Sequence, residues 1–229
     1  MRYALYFTPP KDDPLTRVAS DWLGRDAFTG NTLTPAAIEG IDTDDQLRLI
    51  ADPARYGFHA TLKAPFELAA SVRADEFIEA VEDFARAQKV FDIPELVLGQ
   101  LGPFFALVPN AVYPALQSFA ASVVRSFEPY RAALSDADIA RRKPETMSAV
   151  HRANLTRWGY PHVMDEFRFH MTLTGPVEPA LAEPMRQALE PKFADFVHRP
   201  LTISGLALFV EQTRGAPFTV HSWLPFGQS

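Results

Sequence analysis

The chain begins with an alternating, aromatic-rich stretch (residues 2–9, RYALYFTP), whose period of two predicts a strand. Asp13 followed by Pro14 has the form of a helix start, and that helix is expected to run to about Gly24. Thr34-Pro35 predicts a second, short helix. Residues 44–51 predict a third, stopped by Asp52-Pro53. Residues 56–68 (YGFHATLKAPFEL) read as a strand broken at Pro65. Over 74–89 the apolar residues Phe77, Ile78, Val81 and Phe84 share one helical face. Residues 91–110 predict two strands turning at Gly102-Pro103, and 113–127 a helix. The middle section, 135–141 and 144–158, is helical and basic. A strand over 167–177 (FRFHMTLTGPV), a helix over 179–196 and two closing strands, 201–211 and 217–225, complete the pattern.

Within this series one block occurs twice. His59-Ala-Thr-Leu-Lys-Ala-Pro-Phe-Glu67 aligns with His170-Met-Thr-Leu-Thr-Gly-Pro-Val-Glu178, matching at His, Thr, Leu, Pro and Glu. Each copy is followed by a helix and then by two strands, so each half reads strand–helix–strand–strand. An α+β chain containing an internal duplication follows. No linker or low-complexity tract separates the halves. We therefore expect a single bilobal domain over 1–229, with lobe one at about 1–130, a helical insertion at about 131–160 and lobe two at about 161–229.

Side chains alternate across a strand. His59, Thr61 and Lys63 are thus expected on one face, with Phe58, Ala60 and Leu62 entering the core. Arg168, His170, Thr172 and Thr174 are likewise set against Phe169, Met171 and Leu173. A single His-x-Thr on an apolar strand is ordinarily a packing feature. Duplicated packing explains repeated Leu and Pro, but gives less reason to repeat a polar pair. Histidine, with a reference pKa of about 6.5, serves as base or acid near neutral pH. Two histidines flanking one phosphorus allow in-line attack, one deprotonating the attacking oxygen and the other protonating the leaving oxygen. Threonine hydroxyls supply hydrogen bonds to the phosphoryl oxygens. The candidate catalytic set is therefore His59, Thr61, His170 and Thr172, and the scheme calls for no metal or cofactor.

Secondary candidates follow from position. Lys63 and Arg168 are expected on the groove side as phosphate contacts, with a solvated rim charge as the competing account. Tyr3 and Tyr56 are candidates to stack on a base or sugar, with packing as the competing account. Arg141, Arg142 and Lys143 form a basic cluster that suits either a second phosphate or a helix C-terminus. His151, His162, His198 and His221 lack partners at metal-ligand spacing.

Composition narrows the classes. Of 229 residues 47% are hydrophobic and 22% charged, as in a folded globular chain. Cysteine is absent, which removes disulfides, thiolate metal sites and cysteine nucleophiles. A formal net charge of −6 argues against a grip on long nucleic acid, so the expected partner is a small phosphorylated substrate. The opening residues do not form a signal peptide and no apolar run reaches the roughly 20 residues of a membrane span, so a cytoplasmic location is expected. There is no G-x-x-x-x-G-K-[ST] loop and no dinucleotide fingerprint. Oligomeric state is not legible.

The paired H-x-T-L motifs on duplicated strand–helix–strand–strand units resemble the two-histidine (2H) phosphoesterase superfamily. The blocks YGFHATLKAPF and FRFHMTLTGPV resemble most a bacterial branch associated with phosphonate-utilisation operons. The resemblance spans essentially the whole chain. It implies pseudo-twofold lobes with antiparallel sheets around a central groove, His59 and His170 as the acid–base pair, and Thr61 and Thr172 on the phosphate. It further implies hydrolysis of a small cyclic phosphodiester, a nucleotide or ribose cyclic phosphate, in phosphonate metabolism. A non-catalytic nucleotide or phosphosugar binding protein remains the alternative, and a packing role for the motifs a third.

Overall fold

The structure, a computed structural model, describes residues 1–227. Its strands are β1 (Arg2–Phe7), β2 (Ala60–Phe66), β3 (Phe91–Leu101), β4 (Phe104–Pro109), β5 (Met171–Thr172), β6 (Arg199–Ile203), β7 (Gly205–Glu211) and β8 (Thr219–Pro225). Its α-helices are α1 (Pro14–Leu23), α2 (Thr43–Tyr56), α3 (Ala74–Ala87), α4 (Pro114–Phe127), α5 (Asp136–Arg141), α6 (Ala149–Trp158) and α7 (Pro179–Phe193). The α+β class is the one the sequence indicates. The strands join in one eight-stranded sheet, ordered β6-β3-β4-β5-β2-β1-β7-β8, in which every pairing is antiparallel.

The two strands that carry the repeated block, β2 and β5, are neighbours at the middle of this sheet. Outward from β2 lie β1, β7 and β8; outward from β5 lie β4, β3 and β6. The halves of the chain therefore interleave, because β3 and β4 of the first half flank β5, while β7 and β8 of the second half flank β1. The main core lies between one face of the sheet and helices α1, α2, α3, α4 and α7. Phe77 of α3 sits at its centre, meeting the rings of Tyr3, Phe66 and Phe127 edge-on. Full burial of such a side chain contributes about 1.5–3 kcal/mol. On the opposite face Ala4, Tyr6, Ala207, Phe209 and Phe218 form a much smaller apolar cluster beside the open side of the sheet.

Several elements differ from the sequence expectation. The predicted helix at Thr34-Pro35 is absent: this segment is irregular and tied to α2, Gln46 accepting from the Ile38 N–H and donating to the Ala36 carbonyl. Helix α2 does not stop at Asp52-Pro53 but continues to Tyr56 with Pro53 inside it. Gly57 ends it, donating to the Pro53 and Ala54 carbonyls. The strand expected over 167–177 shrinks to Met171–Thr172. The preceding carbonyls accept from side chains instead of a neighbouring strand: Phe167 from Gln117 and Arg168, and Arg168 from His170.

Strand β2 runs unbroken through Pro65, but its pairing with β1 slips twice. Tyr3 faces Phe66, Leu5 faces Lys63 and Tyr6 faces Thr61. One step on β1 from Leu5 to Tyr6 corresponds to two steps on β2, which is the geometry of a β-bulge. Lys63 is thereby turned onto the face of Leu5, the core side, while Thr61 keeps the face of Tyr6.

Gly57 has φ +79° and ψ 169°, a region nearly closed to other residues. A Cβ placed there would lie 2.4 Å from the Ala27 Cβ. Gly57→Ala is expected to cost roughly 2–4 kcal/mol through backbone strain and this clash. Urea unfolding of the variant, with an unchanged m-value, would check it; a loss below about 0.5 kcal/mol would contradict the geometry.

Candidate active site

The pairing of Ala60 with Met171 sets the geometry of the site. Antiparallel register carries this pair outward to put Thr61 opposite His170 and His59 opposite Thr172, all on the face away from the helices. Directly opposed residues have Cβ atoms about 4.5–5.5 Å apart and diagonal ones about 7–8 Å. Strand spacing carried outward from this pair sets the two imidazoles on one diagonal and the two hydroxyls on the other. All four side chains line one cleft of about 760 Å³.

Each imidazole is fixed in the same way. His59 Nδ1 lies 2.8 Å from the Gly57 carbonyl and His170 Nδ1 lies 2.8 Å from the Arg168 carbonyl. A carbonyl only accepts, so in both rings Nδ1 carries the proton, and in the neutral form Nε2 carries the lone pair. His59 Nε2 is 3.2 Å from the Thr61 hydroxyl, which donates to it. The His59 ring stacks on Tyr6 at 3.8 Å and is flanked by Phe209 and Tyr56, each at 6.0 Å. Burial pushes its pKa down to about 4, the Gly57 carbonyl opposes that shift, and the charge of His170 adds to it.

The remaining walls are cationic. Arg2, Arg55, Arg141, Arg142 and Arg214 all line the cleft, whereas Asp52 is the one carboxylate lining it among the described residues. Glu211, fully buried, accepts from Arg2 at 2.5 Å and from Arg55 at 3.1 Å. Arg214 is paired with Glu67 at 3.0 Å and with Asp138 at 2.7 Å; Asp138 also accepts from Arg141. Among the described residues no three His, Asp or Glu side chains are grouped to hold a metal ion, and no helix is long and apolar enough to cross a membrane.

Of the secondary candidates, Tyr56 lines the cleft, as do Arg141 and Arg142 of the basic cluster. Lys63 does not: it is buried behind the sheet, donating to Glu128 at 2.9 Å, because the bulge in β2 reverses the alternation that would have turned it forward. Arg168 is exposed and folds back on the carbonyls of Asp165 and Phe167, since residues 167–170 are not strand. Tyr3 is packed in the main core against Phe77. Lys143, with φ 49°, caps the turn after α5 and is not among the lining residues. Sequence reasoning missed Arg2, Tyr6, Arg55, Tyr160 and Arg214. The alternation of β1 held the signal for two of these: Arg2, Ala4 and Tyr6 share the face opposite Tyr3, Leu5 and Phe7.

Residues 61–219 match the model of a protein family described as a protein of unknown function, DUF1045. The chain belongs to that family. It is 38% identical over 229 residues to a protein of Janthinobacterium sp. (strain Marseille), covering 98% of this chain and 51% of that one. It is 32% identical over 220 residues to one of Laribacter hongkongensis (strain HLHK9), covering 95% and 50%. Both are named ribose 1,5-bisphosphate phosphokinase PhnN, and the chain spans about half of their length. Among solved structures, TT0787 of Thermus thermophilus aligns over 100% of both chains at 14% identity and TM-score 0.47. E. coli LigT in its apo form aligns over 99% of this chain and 98% of its own, at 13% and 0.45. TM-scores under 0.5 do not establish a common fold.

The depressed His59 pKa has a consequence for stability. The unfolded chain takes up this proton near pH 6.5 and the folded chain only near 4. The contribution from keeping His59 neutral is therefore complete above about pH 6.5 and is lost as pH falls through about 4. Proton NMR of the ring should show His59 titrating near 4. A His59→Gln variant should show a shallower loss of stability across that window. A His59 that titrates above 6 would contradict the buried, stacked environment.

Proposed function

We propose that this protein is a metal-independent phosphoesterase that hydrolyses a small cyclic phosphodiester by two-histidine acid–base catalysis. The observation that carries this is the crossed register at Ala60 and Met171, which sets two His-x-Thr pairs around one space. The resemblance of the paired motifs to 2H phosphoesterases points the same way.

In the proposed reaction His59 Nε2 takes a proton from water as the water oxygen attacks phosphorus. The bond from phosphorus to the leaving oxygen breaks opposite the attack, and protonated His170 Nε2 supplies that oxygen with its proton. Thr61 and Thr172 donate to the non-bridging oxygens, Thr61 turning from His59 to the phosphate as substrate binds. The base falls to His59 because burial keeps it neutral near pH 7. A group held neutral has no proton to give a leaving group, so the acid is His170. The phosphate's own negative charge draws the His59 pKa upward when substrate is present, which strengthens it as a base. Positioned acid–base groups contribute roughly 10²–10⁴-fold each.

A ribose cyclic phosphate in phosphonate metabolism is the substrate class proposed, with a cyclic nucleotide next. The relatives' names place ribose 1,5-bisphosphate with proteins of which this chain spans half. The 229 residues themselves contain no G-x-x-x-x-G-K-[ST] loop, so the phosphokinase activity in those names is not assigned to them.

His59→Ala and His170→Ala are each expected to lower kcat on 2′,3′-cyclic nucleotides and ribose 1,2-cyclic phosphate by about 10²-fold or more. The wild-type pH profile should be bell-shaped and activity should survive chelator. Unchanged turnover in both variants overturns the mechanism. Activity lost on chelation and restored by added metal overturns its metal independence. Binding without turnover on every cyclic phosphate offered favours the non-catalytic binding protein.

A further inference from the structure

We infer that the substrate carries a second phosphoryl group, held as a dianion by Arg142, Arg2 and Arg55, which line the same cleft as the two His-x-Thr pairs. This rests on the phosphodiester reading above and names the class of diester. The chain as a whole has 28 acidic residues against 22 lysines and arginines, yet the cleft is lined by five arginines and one carboxylate. Every one of these cations is an arginine, the side chain whose planar fork matches phosphoryl oxygens two at a time.

The five divide into two groups. Arg141 and Arg214 are neutralised where they stand, by Asp138 and Glu67. Arg2 and Arg55 share a single carboxylate, Glu211, whose oxygens also accept from the Gly215 N–H at 2.9 Å. Glu211 is wholly buried, so it serves as an anchor that aims both guanidiniums. The Tyr56 hydroxyl, 2.6 Å from Arg55 Nη2, holds the second of them from another side.

Arg142 completes the group and has no such anchor. Its Nε is buried with no hydrogen-bond partner among the described residues, and its guanidinium lies 5.3 Å from the centre of the Tyr160 ring. Arg141 and Arg2 repel it, while Asp138, which already accepts from Arg141 and Arg214, attracts it without a hydrogen bond. A buried charged donor without an acceptor is costly, and native structures rarely leave one unless something else satisfies it. The five guanidiniums against the three carboxylates paired with them, Glu211, Asp138 and Glu67, leave two positive charges, which is the charge of a phosphomonoester dianion.

The site is also separate from the scissile position. The Tyr56 ring touches both, its centre 6.0 Å from that of the His59 ring and 4.3 Å from the Arg55 guanidinium carbon. A phosphate framed by the two threonines and two imidazoles would leave this cationic group unfilled. A molecule with a phosphoryl group at each end of a sugar-sized body would fill both.

The test uses adenosine 2′,3′-cyclic phosphate with and without a 5′-phosphate, titrated calorimetrically into the whole chain carrying His170→Ala, which keeps the ligand intact. The 5′-phosphorylated form should bind at least tenfold more tightly. Adding Arg142→Met should remove most of that preference, and Arg142→Lys should restore part of it. Because the apo protein holds this guanidinium unpaired, Arg142→Met should leave Tm unchanged or raise it, which a merely structural arginine would not do. Equal affinity for the two ligands, binding of neither, or a preference that survives Arg142→Met overturns the inference. Equal turnover of both by the wild type would overturn it while upholding hydrolysis. A binding preference with no turnover of either by the wild type would uphold the subsite and overturn hydrolysis.

Discussion

Everything in the cleft depends on one antiparallel contact, Ala60 against Met171. Neither residue does chemistry; both are fully buried and face the main core. Their packing fixes the register of β2 on β5, and a slip of one residue would send every imidazole and hydroxyl of one motif to the opposite face. The contact is very short, because β5 is only two residues long. It is held from its far side by β4, where Ala106 faces Thr172 and Leu107 faces Met171. It is also held beyond its C-terminal end, where Trp22 donates to the Leu173 carbonyl and the Thr174 hydroxyl accepts from the Phe105 N–H. The greasy side of the sheet is thus what holds the polar side in place.

A second constraint is the placement of charge. Glu211 and Asp138 each collect two arginines, and Glu128 collects Lys63 and Arg131 on the helical side. These carboxylates lie behind or beside the cleft rather than across it. The cations are immobilised in advance, and little side-chain entropy remains to be lost when an anion arrives. His59 is governed by the same separation. It stands next to aromatic rings, not a carboxylate, so burial dominates its pKa and keeps it neutral.

Much of this was legible in the sequence, for identifiable reasons. The repeated block stood out because it duplicates a polar pair, and period-two alternation correctly put Phe58, Leu62, Phe169, Met171 and Leu173 in the core. The α+β class followed from the order of elements. Alternation failed at Lys63 and Arg168, where the backbone stops being regular strand. A bulge in β2 and side-chain capture of the 167–168 carbonyls are decided by tertiary partners that no local pattern reveals. The cationic wall was hidden for a different reason. Arg2, Arg55, Arg142 and Arg214 are scattered over the length of the chain, and no window contains more than a fragment of the wall. Tyr6 was within reach, since its parity on β1 is opposite to that of Tyr3, but only the pairing with β2 shows which parity faces the cleft.

The interleaving of the two halves bears on how the chain reaches this state. Pairing Arg2 with Glu211 joins the first strand to the seventh, and β3 must find β6 across about half the chain. Contacts this distant in sequence place the molecule among high-contact-order topologies, in which loop-closure entropy is lost before most native contacts can compensate for it. β2 and β5 meet only after residues from both halves have come together. A nascent chain that has not yet reached β7 lacks Glu211, and with it Phe209 and Phe218 of the aromatic floor around Tyr6 and His59. During synthesis the complete site is therefore a late property of the polypeptide, since Arg2 and Arg55 lack their shared carboxylate until β7 has been made.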